Sequence, residues 1–369
     1  MELKDIKAVY FVGAGGIGMS AIARYFIHCG LVVAGYDRTP SDLTRQLEKE
    51  GMVIHYEESV DEIPQACRER ESCLVVYTPA IPATHKELTF FREHQFEIKK
   101  RSQVLGLLTD HHKGLCVAGT HGKTTTSAMC AHIMHQSSID CNAFLGGISK
   151  NYGTNYLLST QSDYVVIEAD EFDRSFHWLH PWMTVITATD PDHLDIYGTK
   201  EAYLESFRHY TELIKKGGAL ILHTGLEMTP NVQEGVKTYS YSRDEGDFHA
   251  ENVRIERGEI TFDFVSPIEN VKDVRLGQPI PINIENGVAA RLQNCAMAWK
   301  PTVAWTVALT SRSVLTRWYS SPTMHIIRRR SIRVPRAFVS STMTERSRRS
   351  SSRISTLAPA ISTRSSPMR

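Results

Sequence analysis

The chain has 369 residues, 41% hydrophobic and 22% charged, with a formal net charge of +1. That length predicts two or three domains, each able to bury a core, and no stretch is long and apolar enough to span a membrane. The charged start, Met1-Glu2-Leu3-Lys4-Asp5, runs straight into a strand and is read as no signal peptide.

Seven cysteines lack C-x-x-C spacing, and Cys73, Cys116 and Cys130 lie in apolar runs. They are expected to be reduced, buried thiols of a cytoplasmic protein. The 16 histidines form no zinc-like spacing. Charge is uneven: residues 291–369 hold 15 Lys and Arg but one acid, Glu345, so the remainder is acidic. Two differently composed pieces are joined.

In chain order, Ala8-Val9-Tyr10-Phe11-Val12 is predicted as a strand and is followed at once by Gly13-Ala14-Gly15-Gly16-Ile17-Gly18. Met19 to Cys29 is predicted as a helix, and Leu31 to Asp37 as a second strand ending in an acid. This is a βαβ unit with G-x-G-x-x-G, and Asp37 lies roughly 20 residues on, where a ribose-binding acid belongs. The pattern alone leaves open which nucleotide binds, a nicotinamide-dependent oxidoreductase included, and a tight turn without a ligand has the same spacing. Leu74 to Ala80 is a further strand, ending in a Pro-punctuated loop near the sheet's carboxyl edge. The basic stretch Lys99-Lys100-Arg101 bridges to the next apolar run, and the first domain boundary is placed there.

Leu115-Cys116-Val117-Ala118 is predicted as a buried strand. Gly119-Thr120-His121-Gly122-Lys123-Thr124-Thr125-Thr126 follows, and Ser127 to Met134 is helix-like. Strand, glycine turn, Lys-Thr and helix make a phosphate-binding loop, although Val117 stands where its first glycine usually sits. Glycines let backbone N–H groups converge on phosphate, and the helix N-terminus adds its dipole. Lys123 is expected to neutralise terminal phosphate charge and the Thr124 hydroxyl to face Mg²⁺.

Further strands are predicted at Ala143–Ile148, Tyr164–Glu171, Thr184–Thr189 and Ala219–His223, and a hairpin over Val253–Val265 with Arg257-Gly258 near its turn. Glu168 and His193 fall at strand ends expected to surround Thr124. A carboxylate, a hydroxyl and an imidazole beside a nucleotide fit Mg²⁺, but a lone His in an acidic loop is also an ordinary hydrogen-bonding residue. Asp170, Glu171 and Asp173 are read as solvated or loop-capping. Two nucleotide-like domains in series point to joining an ATP-activated group to a nucleotide-linked substrate, with a generic ATPase left open.

Gly13-Ala-Gly-Gly-Ile-Gly-Met-Ser20, Gly119 to Thr126, Glu168-Ala-Asp-Glu171 and Asp192-His-Leu-Asp195 together resemble the Mur ligases, over roughly Ile6 to Ala290. The G-G-I-G-M-S run favours the alanine-adding branch. The resemblance implies an α/β architecture: a Rossmann-like domain over 1–106 that holds a UDP-linked substrate, then a P-loop ATPase domain over 107–290. It implies ATP and Mg²⁺ as cofactors, and UDP-N-acetylmuramate and L-alanine as substrates joined through an acyl phosphate in peptidoglycan precursor synthesis.

By position, Gly13, Gly15, Gly16, Gly18 and Asp37 would serve the UDP substrate. Gly119, Thr120, His121, Gly122, Lys123, Thr124, Thr125, Asn283 and Asn286 would serve ATP. Thr124, Glu168 and His193 would hold metal, with Lys123 and His193 catalytic. Ile282 stands where many members have a histidine beside the adenine. No membrane or nucleic-acid partner is expected, and the sequence does not fix the oligomeric state.

After Ala290 the resemblance stops. Residues 291–369 contain no glycine and one lysine, Lys300, and include Arg328-Arg329-Arg330. A basic arm for nucleic acid is one reading. A frame slip between Ala290 and Asn294 fits better. One codon choice for Pro322 to Arg330, read from the third base, gives Asp-Tyr-Ala-His-His-Pro-Glu-Glu, similar to a signature of the family's third domain. The same shift at Arg353 to Ser362 permits His-Leu-Tyr-Thr-Arg-Thr-Arg-Asp-Phe, and Met297 to Lys300 permits Gly-Val-Glu. Residues 291–369 are therefore expected to be a non-native, disordered tail that replaces the third domain and leaves this chain inactive.

Overall fold

The computed structural model describes residues 2–268, 270–276 and 280–297, with side chains described as far as Arg291. The tail expected from residue 291 on lies, beyond Met297, outside the described residues.

The first sheet is built from β1 (Ala8–Val12), β2 (Val32–Tyr36), β3 (Val53–His55), β4 (Cys73–Tyr77) and β5 (Glu97–Lys100). All pairings are parallel and the order is β3-β2-β1-β4-β5. β1 sits centrally because every one of its side chains is buried, as a strand covered on both faces requires. Three helices connect these strands: α1 (Ile17–His28), α2 (Asp42–Lys49) and α3 (Lys86–Glu93). The bridging stretch Lys99-Lys100 is an edge strand instead of a linker, and Arg101 opens α4 (Arg101–His111). Lysines on an exposed edge discourage further pairing, which is why the stretch lacks an apolar strand signature.

A second sheet comprises β6 (Lys113–Ala118), β7 (Asn142–Ser149), β8 (Thr154–Leu157), β9 (Tyr164–Glu168), β10 (Met183–Ile186), β11 (Ala219–His223) and β12 (Lys237–Tyr241). Its order is β12-β11-β10-β6-β9-β7-β8, parallel except where β8 runs against β7. Its helices are α5 (Lys123–His135), α6 (Leu194–Tyr197) and α7 (Lys200–Glu212). A third, antiparallel sheet follows: β13 (His249–Glu256), β14 (Glu259–Val265) and β15 (Val271–Leu276). The expected turn at Arg257-Gly258 is present, both residues having positive φ. Ile282 to Gly287 lie in a final helix, α8 (Ile282–Met297).

One apolar core runs across both large sheets, from Val9, Phe11, Ile22 and Phe26 to Cys116, Phe144, Ile167 and Phe207. The two sheets are thus cemented by shared burial, each such side chain contributing about 1.5–3 kcal/mol. The opposite face of the second sheet packs with the third sheet and with Ile284 and Val288 of α8. Cys67, Cys73, Cys116, Cys130 and Cys141 are buried and free. No helix among the described residues is long and apolar enough to cross a membrane.

Candidate functional site

The second glycine loop leaves β6 at the centre of its sheet, between β9 and β10. Val117 is fully buried there and paired with Glu168 and Val185, so the loop begins only at Gly119 and no glycine is needed two residues earlier. Gly119 has φ +132, and a Cβ on it would come within 2.3 Å of Thr187 Oγ1; only glycine fits. Gly122, at φ +82, caps α5. Thr120 N–H donates to Ala188 O at 3.0 Å and its hydroxyl to Asp190 O at 2.7 Å, tying the loop to the end of β10. The free amides of the first turn of α5 then face the loop, an arrangement able to hold an anion.

Lys123, the first residue of α5, donates to Gly119 O at 2.8 Å and pairs with Glu171, 2.8 Å from Oε1 and 2.7 Å from Oε2. Glu171 was expected among solvated acids; it is 1% exposed. Two consecutive left-handed residues, Asp173 and Arg174, turn the chain just after it, and Tyr197 donates its hydroxyl to the Glu171 carbonyl. Burial pushes the Glu171 carboxyl up, while the Lys123 ammonium pulls it back. Asp170 and Asp173 are exposed and cap the loop, through the Phe172 amide and the Ser175 hydroxyl.

Thr124 donates to Glu168 Oε1 at 2.9 Å, and the Gly146 amide donates to Oε2 at 2.9 Å. Burial raises the Glu168 carboxyl pKa, opposed by the Thr124 bond and Lys123. Thr124 and Glu168 therefore form a pair of hard oxygen donors at the loop's mouth. His193 shares no hydrogen bond with either. It caps α6 at φ 52, its amide bonds its neighbour Asp192, and its ring stands edge-on to Phe172 at 5.1 Å. Among the described residues no three His, Cys, Asp or Glu side chains converge as a metal cluster.

A cavity of about 440 Å³ opens beside this loop, lined by His121, Gly122, Asp190, Lys200, His223, Tyr241, Ile282, Glu285 and Asn286. His121 is exposed, with Nε2 3.9 Å from Asp190. Thr125 is buried within α5. Asn286 accepts from Thr126 Oγ1 at 3.2 Å and donates to Asn283 Oδ1 at 3.4 Å, so both asparagines are buried and pin α8 to α5. Ile282 is 54% exposed at the cavity wall. Sequence reasoning missed His223 and Glu285, which face each other at 3.8 Å, Glu285 raising the His223 pKa. The only signal for His223 was its place at a carboxyl strand end.

The first glycine loop differs. Gly13 and Ala14 donate their amides to Tyr36 O, and Gly15 donates to Asp37 Oδ2 at 2.6 Å. Asp37 also accepts from the Thr39 amide at 3.1 Å. It thus ties the loop to the end of β2. Gly16 caps α1, and a Cβ on Gly18 would come within 2.3 Å of Arg101 Nε. A second cavity, about 390 Å³, lies between Gly16–Met19 and the Glu168 side of the second sheet.

Comparison with known proteins follows this division. Residues 8–113 match the family description "Mur ligase family, catalytic domain", and residues 117–292 match "Mur ligase middle domain". The chain is 68% identical over 290 residues to a UDP-N-acetylmuramate–L-alanine ligase of Phocaeicola vulgatus, covering 79% of this chain and 63% of that protein. It is 44% identical over 323 residues to the protein of that name in Flavobacterium johnsoniae, covering 87% and 69%. Among solved structures, UDP-N-acetylmuramate-alanine ligase from Thermotoga maritima superposes with a TM-score of 0.64 at 26% identity, covering 80% of this chain and 66% of that one. The chain spans 63–64% of the length of the first two curated relatives it matches. With matches running through both glycine loops and across both large sheets, the chain belongs to the Mur ligase family.

Proposed function

We propose that the chain carries the two nucleotide-binding domains of an ATP-dependent ligase that joins L-alanine to UDP-N-acetylmuramate. Residues 1–106 take the UDP-linked substrate and residues 107–290 take ATP. The observation that carries this is the Gly119–Thr124 loop, with its lysine, its Thr124–Glu168 pair and the adjoining 440 Å³ cavity. The relatives' names supply the substrates.

The Thr124 hydroxyl and Glu168 carboxylate suit Mg²⁺, which prefers oxygen and takes its remaining positions from phosphates and water. When bound, the ion offsets charge on the transferring phosphoryl group. Lys123 meets charge that develops on the terminal phosphate and leaves Glu171 to do so. His193, the N-cap of α6 beside Phe172, is the further ligand that would join the Thr124 and Glu168 oxygens. Asn283 and Asn286 shape the base side of the cavity through α8. Gly13, Gly15, Gly16 and Gly18 bring the backbone close to the UDP diphosphate, and Asp37 keeps that loop in shape.

Ligation needs both substrates and the amine aligned in a closed site, and alignment alone supplies about 7–11 kcal/mol. Residues 8–113 and 117–292 match the family's domains, and these are the parts whose ligands can be named. Binding therefore tests the function. In calorimetric titrations of the full chain, ATP with Mg²⁺ and UDP-N-acetylmuramate should each bind at one site. NAD(H) binding without UDP-sugar binding would overturn the reading, as would salt-sensitive nucleic-acid binding without ATP binding.

A further inference from the structure

The cavity between the first glycine loop and the second sheet contains a cation that the function above leaves unused. Arg101 opens α4 directly after the edge strand β5, and its guanidinium lines this 390 Å³ space with Gly16, Gly18, Gly146, Glu168 and Asp170. Its Nε is shielded from solvent and has no hydrogen-bond partner among the described residues. The acids that act on it are already committed: Glu168 to Thr124 and Gly146, Asp170 to the Phe172 amide. Gly18 leaves room for it, because any Cβ there would strike Nε. The last glycine of G-x-G-x-x-G therefore seats an arginine from 83 residues downstream.

A half-buried guanidinium with an orphaned N–H, facing glycine-loop backbone, is built for a planar or tetrahedral anion. We propose that Arg101 is a positioning residue that binds an anionic group of the UDP-linked substrate and aims that substrate from the first glycine loop toward Thr124 and Glu168. This rests on the reading of residues 1–106 as the UDP-substrate domain. Two groups share the required chemistry, the diphosphate and the muramate carboxylate.

The test is calorimetric titration of the full chain and its Arg101→Gln and Arg101→Lys variants with UDP-N-acetylmuramate, with UDP-N-acetylglucosamine, which lacks the lactyl carboxylate, and with ATP–Mg²⁺. Arg101→Gln should weaken UDP-N-acetylmuramate by about 10- to 100-fold, Arg101→Lys by less, with ATP affinity unchanged. Equal weakening of UDP-N-acetylglucosamine assigns Arg101 to the diphosphate; sparing of it assigns Arg101 to the carboxylate. Variants within about twofold of the wild type for both sugars overturn this inference and leave the proposed function standing. Loss of ATP binding in both variants makes Arg101 a structural residue and overturns it too. If the wild type binds neither UDP sugar, inference and function fall together.

Discussion

The two glycine loops share a plan, strand then glycine turn then helix, but differ in how charge is supplied. The second carries its cation one residue past its last glycine, and that cation, Lys123, is held by a buried carboxylate. The first carries an acid on its own amide, Asp37 on Gly15, and takes its cation from α4 beside Gly18. A loop with its own lysine is preset for phosphate. A loop that borrows an arginine from the next element is completed only when the sheet, α4 and the neighbouring sheet have packed together. The first loop is thus coupled to the second sheet in a way its motif does not reveal.

The largest break in this comparison is Lys123→Ala. It removes the cation proposed to meet phosphate and leaves Glu171 buried without its partner, and losing one member of such a pair costs about 3–5 kcal/mol. Urea denaturation should show that loss, with ATP affinity falling and UDP-N-acetylmuramate affinity unchanged. An unchanged ATP affinity would remove Lys123 from the site.

Alanine at one glycine of each loop sharpens the contrast. At Gly119 the new methyl meets Thr187 Oγ1 at 2.3 Å and backbone atoms of Ala188 at 2.8 and 2.9 Å, from a left-handed φ. Nothing there yields cheaply, and a loss of about 1–3 kcal/mol is expected by thermal denaturation. At Gly18 the methyl meets only the end of the Arg101 side chain, which can swing aside. Gly18→Ala should cost under about 1 kcal/mol of stability while weakening UDP-sugar binding. Equal destabilisation by the two alanines would show that Arg101 is as fixed as backbone.

What the sequence revealed follows from locality. The central strands β1, β4, β6 and β9 are apolar on both faces and were legible, as were both glycine turns and the Arg257-Gly258 hairpin. The edges β3 and β5 are short or charged and were not, because an edge strand needs little apolar surface. The places of Lys123 and Thr124 at the start of α5 were legible since strand, glycine turn and helix are contiguous in the chain. Glu171 was misread because four acids in six residues, from Glu168 to Asp173, look solvated until a left-handed turn buries one of them. Arg101 and Glu285 enter through tertiary packing alone, and His223 was marked only by its place at a strand end.

The smallest effect isolates the acid behind Lys123. Burial holds the folded Glu171 carboxyl above its ordinary value, against the pull of Lys123, and Glu168 is raised by the same cause. The folded chain therefore binds these protons more tightly than the unfolded one. Their contribution to stability is fully present below the unfolded carboxyl value, about 4.3, and is lost as pH rises through the raised folded value. Glu171→Gln removes one of the two groups, so the fall in urea midpoint across that window should become shallower, with Glu168 retaining the rest. Lys123→Ala removes the opposing cation and should make the fall steeper. Parallel pH profiles in all three proteins would mean that Glu171 titrates as a solvated acid, and the second loop would then hold its lysine no more tightly than the first holds its arginine.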